Sequence, residues 1–201
     1  MILSDKPSIL NLQLATDPRW TNLAAVDLQE LLTDHAYCEM KAASSCISII
    51  QRYNQKVLIV SELMPIVSEE WGHFRLVVHE LTKRGWQLGA QRKDDYVNQL
   101  LKFCQTGGNE EGRLLDQLLA MAMIEARSCE RFKTLSEGLQ DPYLQKFYRR
   151  FMESEAGHYT IFITLAEHYI PKSVVQARWQ AWLKHESEVI SGLPQRIGRV
   201  H

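Results

Sequence analysis

Six residues of this chain are of types, and at spacings, that can hold metal ions: Glu39, Glu70, His73, Glu125, Glu155 and His158. Four of them form two Glu-x-x-His pairs, Glu70 with His73 and Glu155 with His158. Residues three apart on a helix lie on one face, so each glutamate and its histidine can reach the same ion. A single Glu-x-x-His is a weak signal, and the register between the copies is the stronger one. Glu70 and Glu155 are 85 positions apart, as are His73 and His158, and Glu39 and Glu125 are 86 apart. Each pair follows its lone glutamate by about 30 residues. Two pairs make two metal positions, and the two other glutamates can bridge or cap them. Four carboxylates and two divalent ions balance in charge, which removes the cost of burying the acids. Mixed carboxylate and imidazole donors suit iron or manganese rather than thiolate-preferring metals. Taken singly, each residue also reads as an ordinary polar group on a helix seam.

Such a centre needs helices to position it, and the chain has the periodicity for them. Four long helices are predicted, at about 27–53, 61–83, 109–139 and 141–169, with a short turn after Pro18. A shorter helix is predicted at about 94–105 and a C-terminal one at about 173–190. Gly85, the Gly107-Gly108 pair and Pro171 punctuate them, and Pro142 suits a first helical turn. Each long helix carries an apolar stripe with a glutamate in its middle, as in Leu28, Leu32, His35, Glu39, Ala42, Cys46, Ile49 and Tyr53. No stretch alternates as a strand does. Short links make two antiparallel hairpins, and the connection from about 84 to 108 is long enough to run the length of a bundle. The fold class is therefore all-α: a ferritin-like four-helix bundle with a long crossover and extra short helices. One domain covers 1–201, with the core bundle at about 27–169.

Small residues flank the six positions: Ala42 and Ala43, Ala122 and Ala126, Ala156 and Gly157. They leave room for a site or serve close helix packing. His35 reads more naturally as a helix-face histidine than as an outer support for Glu39. Cys38 and Cys129 read as small buried hydrophobes.

Composition bounds the rest. The chain has 201 residues, 45% hydrophobic and 23% charged, which is ordinary for a globular protein. The net charge of -1 gives no overall bias toward nucleic acid, so such a partner would need a local basic patch. The four cysteines form no Cys-x-x-Cys pair, which points away from a zinc ribbon and toward reduced thiols in a cytoplasmic protein. No secretory signal and no bilayer-spanning apolar run is expected.

The segments around the six residues resemble a known family. Asp34-His35-Ala36-Tyr37-Cys38-Glu39-Met40-Lys41-Ala42-Ala43-Ser44 and Glu69-Glu70-Trp71-Gly72-His73-Phe74 are similar to the tRNA 2-methylthio-isopentenyladenosine hydroxylases. So are Ile124-Glu125-Ala126-Arg127-Ser128-Cys129-Glu130-Arg131-Phe132 and Glu153-Ser154-Glu155-Ala156-Gly157-His158-Tyr159. The likeness spans about residues 20–190, with Tyr37 departing where a second histidine often follows His35. It implies a ferritin-like non-haem di-iron monooxygenase with two iron ions, O2 as co-substrate and electrons from an external donor. On that pattern Glu39, Glu70, His73, Glu125, Glu155 and His158 are the iron ligands. The implied reaction is hydroxylation of the isopentenyl group of a modified adenosine in the tRNA anticodon loop. The alternative is a ferroxidase or iron-handling bundle, which the ligand set alone does not exclude.

A tRNA partner needs cations somewhere. The best run is Lys83 and Arg84 with Arg92 and Lys93, and Trp86 between them could stack an unpaired base. Arg149-Arg150 is a second doublet. Basic residues at a helix end also read as ordinary solvated groups facing the helix dipole.

Overall fold

The computed structural model describes residues 9–194 and 197–200. Its helices are α1 (Trp20–Ala24), α2 (Leu28–Arg52), α3 (Val57–Lys83), α4 (Asp95–Leu100), α5 (Glu110–Gly138), α6 (Pro142–Tyr169) and α7 (Lys172–Gly192). No strand occurs among the described residues. Acceptor side chains start most of the long helices: Asp27 caps α2, Asn109 caps α5 and Asp141 caps α6, each taking a first-turn backbone N–H. The N-cap of α3 is Lys56, which makes no such bond, and α3 starts at Val57 rather than near residue 61. The apolar run Val57-Leu58-Ile59-Val60 forms its first turn.

The stripes pair the helices as α2 with α3 and α5 with α6, and α3 meets α6 between the hairpins. The crossover climbs along α2. Tyr37 donates its hydroxyl to the Gly89 carbonyl at 2.9 Å, and Lys41 reaches Asp94 at 2.5 Å. Within it, α4 gives way to a 3-10 turn at Leu101–Phe103, so the helix expected to 105 is shorter. α7 lies against α5 and α4. There Arg127, fully buried, meets Glu186 at 2.7 Å and Glu130 at 2.8 Å. The chain end returns to α2. Arg199 pairs with Asp34, Val200 donates its N–H to Asp34 at 2.9 Å, and Gly198 adopts φ +61. A Cβ on Gly198 would stand 2.6 Å from Glu30 Cβ, so only glycine fits that close approach.

The interior is divided. One apolar block holds Cys46 and Ile49 of α2, Ile59, Leu63 and Ile66 of α3, Leu114 to Ala122 of α5, and Phe162 and Leu165 of α6. The other holds Leu31, Leu32 and Ala36, Val77 and Leu81, Phe132 and Leu135, and Leu144, Tyr148 and Phe151 of the same helices. On α2, α3 and α6 the boundary between the blocks falls at the polar residues singled out by spacing, and on α5 it falls after Ala126, next to Glu125.

Candidate metal centre

The four long helices bring all six residues together in the layer between the two apolar blocks. Glu39, Glu70, Glu125, Glu155 and His158 are each at most 3% exposed, and His73 is half-buried. Their donor atoms fall into two groups. One is Glu39, Glu70, His73 and Glu155, and the other is Glu70, Glu125, Glu155 and His158. Within each group one donor atom from every residue lies within 4.8 Å of the rest. Glu70 and Glu155 belong to both, so a carboxylate of each can bridge two ions, while Glu39 and Glu125 each serve one.

The contacts inside the layer are close but poorly matched as hydrogen bonds. His158 Nδ1 is 2.7 Å from Glu70 Oε1, yet neither atom is hydrogen-bonded. Glu125 Oε1, Glu155 Oε1 and His158 Nε2 also make no hydrogen bond. Buried polar atoms are nearly always satisfied, so a cluster of orphans here needs a reason. Donor atoms gathered this closely without hydrogen bonds between them suit cations, and the residues present fit a two-metal centre.

The electrostatics say the same. Burial, with neighbouring carboxylates, pushes Glu70 and Glu125 well above the usual glutamate range, and burial raises Glu155 to about 8. Burial works against a charge on His158, but Glu70, Glu125 and Glu69 outweigh it and raise the imidazole to about 9. Glu39 behaves differently. Burial would raise it too, but the hydrogen bond and charge of His35 and the hydrogen bond of His73 hold it below the ordinary value. The His35 ring, 0% exposed, packs against Phe132, Tyr148 and Phe151, with Nε2 2.7 Å from Glu39 Oε1. The spacing favoured a helix-face histidine, and the structure makes it the outer support of Glu39.

Glu69 is the residue that sequence reasoning passed over. It accepts a 2.6 Å hydrogen bond from Ser154 Oγ, and its oxygens stand 3.2 Å from His158 Nε2 and 3.9 Å from His73 Nε2. One carboxylate thus faces the outer nitrogens of both histidines. Its signal was present: Glu69 and His73 are four apart on one helix face. Cys38 and Cys129 are not donors. Burial pushes both thiols up, Cys129 to about 12, and Cys129 Sγ donates to the Met152 carbonyl at 3.3 Å.

Most of the basic residues singled out by the sequence are engaged with acids or rings. Arg84 pairs with Glu80 at 2.7 Å and Asp141 at 3.4 Å, Arg92 with Glu30, and Lys93 with Asp95 at 3.0 Å. Trp86 is half-buried on the second apolar block, with the Arg84 guanidinium 5.7 Å from its ring centre. Lys83 instead stands 4.3 Å over the Tyr143 ring. No helix among the described residues is long and apolar enough to cross a membrane.

Comparison with known proteins identifies the family and the fold. A Pseudomonas putida protein named tRNA 2-(methylsulfanyl)-N(6)-isopentenyladenosine(37) hydroxylase is 36% identical over 192 residues, covering 90% of this chain and 92% of that one. The Salmonella typhimurium protein of the same name is 28% identical, covering 87% and 80%. Among solved structures, a Synechococcus protein described as having aldehyde deformylating oxygenase activity superposes with a TM-score of 0.87. It has 31% identity, and the match covers 92% of this chain and 91% of that one. The family model for tRNA-(MS[2]IO[6]A)-hydroxylase (MiaE) matches residues 3–201, nearly the whole chain, and the chain belongs to that family.

Proposed function

We propose that this protein hydroxylates the isopentenyl group of 2-(methylsulfanyl)-N(6)-isopentenyladenosine in the anticodon loop of cytoplasmic tRNA. Two iron ions would be held by Glu39, Glu70, His73, Glu125, Glu155 and His158, with Glu70 and Glu155 shared. The observation that supports the reading is the set of buried carboxylate and imidazole atoms that lack hydrogen bonds and cluster in two groups in the bundle's middle layer. Bound iron supplies the activation of O2, with two electrons from an external donor, so that one oxygen atom enters a C–H bond and the other leaves as water.

The protein's own residues do the rest. Four carboxylates offset the charge of the ions. His35 orients Glu39 from behind, and Glu69 faces the outer nitrogens of His73 and His158. The two apolar blocks flank the layer along the bundle. Family membership, not the fold, is what selects the substrate, since one scaffold hosts many oxidations.

The test uses iron-loaded, reduced protein, isotopic O2 and tRNA that carries the modified nucleoside. One oxygen atom from O2 is expected in the nucleoside by mass spectrometry. Protein that consumes O2 and oxidises ferrous iron but leaves the nucleoside unchanged would favour iron handling instead.

A further inference from the structure

A cavity of about 360 Å3 opens between α3 and α6 beside the polar layer, within the ~300–1,000 Å3 range of small-molecule sites. We propose that it is the port for the modified base, which enters with its isopentenyl tail pointing to His73 and Phe151. The inference rests on the function proposed above and says where and how that substrate is held.

Chemistry varies with depth along the cavity. His73, one of the six, and Phe151, 3% exposed, form its inner wall, with ring centres 4.8 Å apart. A branched C5 tail suits that end, next to the reacting centre. Farther out, Tyr143 and Phe147 present near-parallel rings, 24° apart in plane and 6.4 Å between centres, which suits the face of a purine. Leu76 and Tyr143 are 42% and 48% exposed, so this outer wall offers apolar surface at the opening. Glu69 and Glu153 also line the cavity, and their carboxylates match the N6–H donor that the prenylated adenine keeps.

The opening also carries cations left over from internal pairing. Arg150 lines the cavity, is exposed and has no acidic partner among the described residues. Lys83 is exposed and, among the described residues, engages only the outer ring of Tyr143. These two are placed to meet phosphates on either side of a base held in the cavity, whereas Arg84, Arg92 and Lys93 are already paired. A second cavity of about 190 Å3, between α2 and α5, has none of the six residues in its lining. It is the natural control.

Binding separates this assignment from the reaction. The iron-loaded protein is dialysed to equilibrium without O2 against the free modified nucleoside and, separately, against modified tRNA. Leu76→Trp, which fills the opening from an exposed helix position, is expected to weaken both about tenfold or more. Tyr143→Ala should weaken both as well and does not depend on accommodating a larger side chain. Arg150→Glu should weaken tRNA more than nucleoside and lower the salt slope for tRNA by about one. Ser48→Trp, which fills the second cavity, should change neither. Nucleoside binding that survives both Leu76→Trp and Tyr143→Ala, or that Ser48→Trp abolishes, overturns the port. So does a wild-type protein that binds no nucleoside. Binding as expected without any product in the isotope experiment leaves the port standing and removes the hydroxylase reading.

Discussion

The imidazole Nε2 of His35 lies 2.7 Å from Oε1 of Glu39, one helical turn away, and both groups are buried. The position 86 residues on from His35, matching the spacing of Glu39 and Glu125, is Met121. The near-repeat is therefore broken at this layer of support. Glu39 has a buried imidazole one turn before it and Glu125 has the thioether of Met121 there, so the two carboxylates are supported unequally.

Stoichiometry should follow the sharing of ligands. Wild-type protein is expected to take up about two ferrous ions. Glu70→Ala or Glu155→Ala should lose both, because each residue belongs to both groups. Glu39→Ala or Glu125→Ala should each lose mainly one. Metal analysis after anaerobic loading reads this, and Glu70→Ala protein that keeps a full complement would rule out the sharing.

His35→Leu should weaken the ion on the Glu39 side more than its neighbour. Titration with ferrous iron should then show one tight and one weakened step, with a far-ultraviolet spectrum like that of the wild type. Equal weakening of both steps would mean that His35 acts on the packing of the bundle rather than on Glu39.

The metal-free protein should lose stability as pH rises from 6 to 9. Glu155 rises to about 8 from an unfolded value near 4.3, so its stabilising protonated form is lost through that window. His158, raised to about 9 from near 6.5, contributes in the same direction, since its charged form is lost as pH rises. Glu39, held low, loses its contribution only in acid, outside the window. Metal binding displaces the protons, so the gap in melting temperature between manganese-loaded and metal-free protein should widen with pH. A gap that narrows would show that the carboxylates are ionised without metal.

Breaking the Arg127–Glu186 pair should be costly. Both groups are buried, and Glu186→Ala leaves Arg127 with only Glu130 as its acidic partner. A loss of about 3–5 kcal/mol in denaturant unfolding is expected. The triple change Arg127→Met, Glu130→Gln and Glu186→Leu should cost less than that single change, because no member of the buried charge cluster is left ionised without its partner.

The six polar residues were legible because two constraints coincide: helix periodicity puts Glu and His three apart, and the 85-residue register repeats them. Helices α2, α5 and α6 were legible for a related reason, since acceptor side chains mark their starts. The start of α3 was not, because Lys56 makes no cap bond and Val57-Leu58-Ile59-Val60 carries no polar boundary. Glu69 was hidden by its neighbour Glu70, which fits the seam better. The state of the basic residues was hidden for another reason. Arg92 finds its acid, Glu30, 62 positions away, and only the path of the crossover along α2 brings them together.

The polar layer also limits how damage spreads through the interior. Leu63 and Leu135 belong to different apolar blocks, so no shared cavity or common neighbour connects a truncation at one to a truncation at the other. Their effects should sum, within ~0.5 kcal/mol, as for distant sites in unrelated proteins. Leu63 and Ile66, inside one block, can relax into each other's space and should not. The bundle is one fold but two independent mutational neighbourhoods, and the six polar residues are the seam along which they meet.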